Sequence, residues 1–169
     1  DYEPGEAVVG ADAALAPGAP QLWDDAPGNL AYHYRRGDPA AVQQALAGSA
    51  HIVALDLVNN RIAAAALEPR AALASWDAAA GRGLLEVSAA SVHMIRDELA
   101  TVLRVDRSAI DVVCPDVGGG FGMKNVSYPE YALLLLAARE LLRPVRWIAE
   151  RTEDFQAGTH ARAIRTVAR

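Results

Sequence analysis

Three consecutive glycines, Gly118-Gly119-Gly120, stand between a strand-like run, Ala109-Ile110-Asp111-Val112-Val113-Cys114, and the clearest helical stretch of the chain, Tyr128 to Leu142. Glycines in that position permit positive φ and let another group approach the backbone closely. Two readings follow from the loop alone. It is a tight strand-to-helix turn, or its successive N–H groups form a concavity suited to an anion or a polar ring system. Spacing excludes the two familiar phosphate loops. A Walker A loop ends in Gly-Lys-Ser/Thr, whereas Lys124 follows Met123 and precedes Asn125. A dinucleotide fingerprint counted from Gly118 would place its last glycine at Met123. Phe121, inside the loop, either caps the core or presents its ring to a bound heterocycle. Lys124 reads by default as a solvated residue that would act as a point charge near a phosphate.

The loop sits in an irregular alternation of short strands and helices. Residues up to about 35 are rich in Pro, Gly, Ala and Asp and read as an extended connecting segment. Asp38-Pro39 is an N-cap followed by proline at the first helical position, and Val42, Leu46 and Ala47 share a face of a short helix ending near Gly48. Residues 1–49 are thus expected to be a linker with a short helix, and residues 50–169 an incomplete domain. His51 to Val58, Ala71 to Trp76 and Leu84 to Ser88 read as strands of one sheet. Val92 to Leu103 has helical spacing, with apolar residues at 92, 95, 99, 102 and 103. Pro129 and Glu130 open the helix after the loop, Pro144 stops it, and Val145 to Ala149 reads as a strand. Residues 163–169 resemble the opening of another. The pattern favours a layered α/β or α+β domain over a pure barrel or bundle, and the fold expected is α+β, a mixed sheet with packed helices.

Composition removes several functions. With 21 acidic and 16 basic residues, the net charge of −5 offers no cationic face for nucleic acid or anionic lipid. The longest apolar run, Tyr131 to Ala138, is too short to span a membrane. One cysteine, Cys114, makes no internal disulfide and cannot hold an iron–sulfur cluster or structural zinc by itself; a reducing, cytoplasmic compartment is the default expectation.

The string Asp116-Val117-Gly118-Gly119-Gly120-Phe121-Gly122-Met123-Lys124 is followed by Tyr128-Pro129-Glu130, by Arg143-Pro144-Val145-Arg146-Trp147 and by Glu150-Arg151-Thr152-Glu153-Asp154-Phe155. Leu67-Glu68-Pro69-Arg70 and Val87 to Leu99 lie upstream. Together, in this order and spacing, these blocks resemble the first molybdopterin-binding domain of the large subunit of xanthine dehydrogenase/aldehyde oxidase-type molybdenum hydroxylases, with the carbon monoxide dehydrogenase-like subgroup nearest. The resemblance covers essentially the whole chain and implies an internal piece of such a subunit. It implies that Gly119, Gly120, Phe121 and Gly122 contact a molybdenum–molybdopterin cofactor, with Phe121 beside the metal. It further implies iron–sulfur clusters and FAD on partner domains or subunits and a small-molecule substrate: an aldehyde, an N-heterocycle or carbon monoxide.

Two departures from the family pattern matter. Ala90, in Ser88-Ala89-Ala90, stands where the family's Ser-x-Gln segment places a glutamine amide against the metal's ligands, and alanine has no donor. Ala90 is therefore a cofactor-site position expected to weaken binding or activity. Asn125 stands where purine-oxidising members carry glutamate, which argues against xanthine as substrate. The family's glutamate base lies far downstream and has no counterpart here, so no catalytic residue is assigned and the chain alone is expected to be inactive. A non-catalytic domain that keeps the fold without cofactor is the alternative, and Ala90 favours it. Cys114 reads as a small core residue, Glu68 as structural with no partner to tune it, and the charge run Glu150 to Asp154 as a solvated surface. His51, His93 and His160 have no companions at metal-ligand spacing.

Overall fold

The computed structural model describes residues 3–169, which form two compact units: residues 3–61 with 162–169, and residues 62–161. In the first unit, helix α1 (Ala11–Ala14) is a single turn and α2 (Pro39–Ala47) is the expected short helix. The Asp38 carboxylate caps α2 by accepting from the N–H groups of Ala40 and Ala41 at 2.9 and 3.1 Å. Strand β1 (Leu55–Asn59) pairs antiparallel with the C-terminal strand β8 (Ile164–Ala168), and Arg165 holds Asp56 through two hydrogen bonds of 3.0 and 2.6 Å.

That pairing corrects one expectation. The run from His51 is extended only from Leu55, and it does not join the strands at 71–76 and 84–88. Every residue of β1 is exposed, so no buried face ties the strand to the main sheet. Its partner is chosen instead by the main-chain ladder with β8 and the Asp56–Arg165 pair.

The second unit carries the core. Its two-stranded ribbon joins β2 (Ile62–Ala63) to β7 (His160–Ala161). Its main sheet has the order β5-β4-β3-β6, built from β3 (Ala71–Asp77), β4 (Arg82–Val87), β5 (Ile110–Val113) and β6 (Val145–Ile148). Only β4 and β5 run parallel, linked by the crossover helix α3 (Val92–Leu103). The sheet is therefore mixed and the fold α+β.

Alternation sets the faces. In β3 and β4, Ala72, Ala74, Leu85 and Val87 point to one side and are buried against α3 and α4 (Pro129–Leu141). Helix α3 contributes Ile95 and Leu99, and α4 contributes Tyr131, Leu135 and Ala138. Each fully buried Leu or Ile contributes about 1.5–3 kcal/mol, which makes this layer the main source of stability. Val102, included in the apolar spacing of α3, is 66% exposed and outside the core.

The charge run from residue 150 is a solvated surface only in part: Glu150 and Thr152 are exposed, but the run turns inward at its last residue. It forms α5 (Arg151–Ala157), whose start is marked by the Glu150 N–H donating to Glu153 Oε2 at 3.2 Å. Asp154 lies fully buried within it.

Candidate functional site

Strand β5 ends at Val113 and delivers the chain through Pro115-Asp116 into the glycine loop, which returns to α4 through a 3-10 turn at Met123–Asn125. Gly119 and Gly122 adopt φ of +92° and +93°, conformations that suit glycine, and Phe121 is held at +50°. The loop is tied at both ends. The Gly118 N–H donates to Glu68 Oε2 at 2.6 Å, and the Met123 N–H donates to the Gly120 carbonyl at 2.9 Å. Between these ties, the N–H groups of Gly119, Gly120, Phe121 and Gly122 have no acceptor among the described residues.

Of these four residues, Phe121 and Gly122 line a cleft of about 350 Å³ together with Ile62 to Ala65 and Thr159 to Ala161. Phe121 does not cap the core. Its side chain is 77% exposed, because a left-handed backbone and glycine neighbours turn it outward. Ala90 is brought beside the loop, its N–H donating to the Lys124 carbonyl at 3.0 Å, and it too is exposed. The five positions expected at a cofactor wall therefore lie on adjoining segments.

Lys124 is the largest departure from expectation. Rather than being solvated, it is fully buried, with Nζ donating to Glu68 Oε2 at 2.7 Å and to Ser88 Oγ at 2.8 Å. Ser88 Oγ in turn donates to the same Glu68 oxygen at 2.5 Å. Glu68 thus has the partners its sequence context did not suggest. Burial raises its pKa, but hydrogen bonds from Lys124, Ser88 and Gly118 and the Lys124 charge outweigh this and hold it down at about 2. Glu68 is ionised at neutral pH and serves as an acceptor for the loop.

A second network supports the cleft from behind. Arg70 is fully buried; its Nε bonds Asp154 Oδ1 at 3.0 Å, and its guanidinium carbon lies 3.9 Å from the Tyr128 ring centre. Glu130 Oε2 stands 3.5 Å from Arg70 Nη1. The Tyr128 hydroxyl donates to the Met123 carbonyl at 2.7 Å and accepts from the Thr159 N–H at 3.0 Å, joining the end of the glycine loop to the cleft's far edge. Burial pushes the neighbouring Tyr131 phenol above its ordinary range. Arg70, Tyr128, Ser88 and Asp154 were not singled out from the sequence. A signal existed for Asp154: a Glu-x-x-Glu pair at 150 and 153 marks a helix start, and the next residue falls on its inner side.

Cys114 is half-buried, its sulfur 3.5 Å from the Ala89 N–H and 3.4 Å from the Asp116 carbonyl. Among the described residues, no group of three or more His, Cys, Asp or Glu could hold a metal, and no helix is long and apolar enough to cross a membrane. What the site offers is a row of free amide donors and an outward aromatic ring. A polar, anionic heterocycle fits this arrangement, since backbone N–H groups supply hydrogen bonds and fractional positive charge without side-chain bulk.

The chain is 38% identical over 120 residues to the nicotine 6-hydroxylase large subunit of Paenarthrobacter nicotinovorans, covering 71% of this chain and 15% of that protein. It is 30% identical to the carbon monoxide dehydrogenase large chain of Afipia carboxidovorans, covering 96% of this chain and 22% of that one. Among solved structures, quinoline 2-oxidoreductase from Pseudomonas putida 86 aligns with a TM-score of 0.78 at 33% identity, over 96% of this chain and 20% of its own. A Cu,Mo-carbon monoxide dehydrogenase aligns at 0.84 and 28% identity, over 96% of this chain and 22% of its own. The chain spans only 15% to 22% of the length of these relatives. Its residues 22–169 match the family model described as "Molybdopterin cofactor-binding domain", and the chain belongs to that family.

Proposed function

We propose that this chain supplies one wall of a molybdopterin site in a molybdenum hydroxylase that oxidises an aldehyde, an N-heterocycle or carbon monoxide. The observation that carries the reading is the run of unpartnered amides from Gly119 to Gly122 beside an exposed Phe121, in a chain of this family. When bound, the molybdenum–molybdopterin group supplies the oxidation chemistry. The chain's own residues bind and orient it: the amides of Gly119 to Gly122 donate to its polar edge, and the Phe121 ring covers an apolar surface and excludes water. Asn125, exposed after the loop lysine, offers no carboxylate for a purine. Iron–sulfur and FAD partner subunits would carry the electrons away; two of the relatives named above are themselves a large subunit and a large chain.

A second reading has a specific observation behind it. Ala90 lies beside the loop with no side-chain donor, so the domain could retain the fold without loading cofactor. Molybdenum and pterin content of the complete subunit, purified with its partners, separates the two. We expect stoichiometric molybdenum in the wild type, a clear loss in Phe121→Gly, and raised turnover in Ala90→Gln. A complete wild-type subunit without molybdenum, from cells that load other molybdenum enzymes, would overturn the first reading. The 169-residue chain by itself is expected to hold no stoichiometric molybdenum, because one wall does not close a site.

A further inference from the structure

Three segments distant in sequence meet at one carboxylate oxygen. Glu68 Oε2 accepts from Ser88 Oγ, Gly118 N and Lys124 Nζ at 2.5, 2.6 and 2.7 Å. Lys124 Nζ also reaches Ser88 Oγ, so the three side chains close a ring of hydrogen bonds. The loop is wrapped around this ring. A Cβ placed on Gly118 would stand 2.5 Å from Glu68 Cβ, and one on Gly120 would rest on the Lys124 stem at 3.5 Å. The Lys124 carbonyl then takes the Ala90 N–H. None of the three side chains lines the cleft beside Phe121.

We infer that Glu68, Ser88 and Lys124 form a positioning triad that fixes the peptide planes of the glycine loop and thereby sets how strongly the loop holds its ligand. The inference rests on the reading of the loop as a cofactor wall. A buried ammonium is tolerated only with a charged partner and satisfied hydrogen bonds, so Lys124 keeps Glu68 ionised and in place. Glu68, so held, takes the Gly118 N–H at the start of the loop. The outward amides are then pre-oriented before any ligand arrives, which removes an ordering cost from binding. Lys124, whose sequence context suggested a solvated point charge, acts in this arrangement through the loop and not on the ligand.

Hydrogen exchange and cofactor content test this together in the complete subunit. Glu68→Ala removes all three acceptor bonds, whereas Glu68→Gln keeps an oxygen for the Gly118 N–H. Exchange is measured on apo protein over residues 116–126, with α4 as internal reference. We expect Glu68→Ala to speed exchange of the loop amides at least about tenfold while α4 changes less than about twofold, the loss of order corresponding to at least one hydrogen bond's worth of local stability. Glu68→Gln should recover most of that order. Lys124→Met, which preserves the stem under Gly120, covers the case in which Glu68→Ala fails to fold, and should also loosen the loop. Molybdopterin content should fall in the order wild type, Glu68→Gln, Glu68→Ala. Loop exchange that rises only in step with α4, or stays at wild-type rates, overturns the triad as a positioning device. A loosened loop with undiminished cofactor content overturns its effect on binding. Wild-type protein with an ordered loop and no cofactor defeats the cofactor reading and leaves the ordering result standing.

Discussion

Asp154→Asn is the substitution whose consequence the structure fixes most sharply. Asp154 and Arg70 side chains are both fully buried, with Nε to Oδ1 at 3.0 Å and the Arg70 N–H 3.3 and 3.2 Å from the two carboxylate oxygens. Asparagine preserves the shape but leaves the guanidinium with Glu130 at 3.5 Å as its nearest opposite charge and the Tyr128 ring at 3.9 Å. Removing one partner of a buried ion pair costs about 3–5 kcal/mol, because the other charge remains desolvated. At about 5 °C per kcal/mol for a domain of this size, Tm should fall by roughly 15–25 °C. Urea unfolding followed by circular dichroism measures the free energy, and a cycle of Arg70→Met, Asp154→Leu and the double variant Arg70→Met/Asp154→Leu isolates the pair. The double variant should lie closer to wild type than either single change, since apolar replacement removes both desolvation penalties. A loss below about 1 kcal/mol for Asp154→Asn, or a double variant as costly as the sum of its singles, would refute the view that Arg70 depends on Asp154.

Other outcomes follow from the glycine loop. Gly118→Ala should destabilise by about 1–3 kcal/mol in urea titrations, since the new methyl meets Glu68, while Gly120→Ala, at 3.5 Å from the Lys124 stem and without positive φ, should be nearly neutral. Phe121→Gly should leave Tm unchanged or raised, because relieving a left-handed φ is worth about 1–2 kcal/mol and the exposed ring gives little burial in return. Glu68 at about 2 in the folded chain, against 4.5 ordinarily, stabilises the fold fully above about pH 4.5. That contribution is lost as pH falls from 4.5 towards 2, so Lys124→Met, which lets the Glu68 pKa rise, should show a smaller stability loss across this window in acid titrations. The lowered carboxylates Asp56, Asp97 and Asp106 are common to both proteins and cancel in the difference.

Local sequence determined much of this protein. The α2 cap at Asp38, helix α3 over Val92–Leu103, helix α4 after Pro129, strand β6 after Pro144 and the turn at the glycine loop all follow from residues within a few positions of one another. Turn chemistry, capping and periodicity are short-range effects, and they carry that information in the chain. Tertiary structure decided which strands share a sheet, because β1 finds its partner more than a hundred residues away in β8, held there by Asp56 and Arg165. It also decided the fate of the charges. Lys124 and Asp154 read as solvated in sequence, and Glu68 as a structural residue without a partner, since a charge is ordinarily solvated unless a partner meets it. Their partners lie 56 and 84 residues apart, and only folding brings them together. The glycines by themselves left open a tight turn or a ligand contact; the Lys124–Glu68–Ser88 contacts beneath them decided how the loop is held.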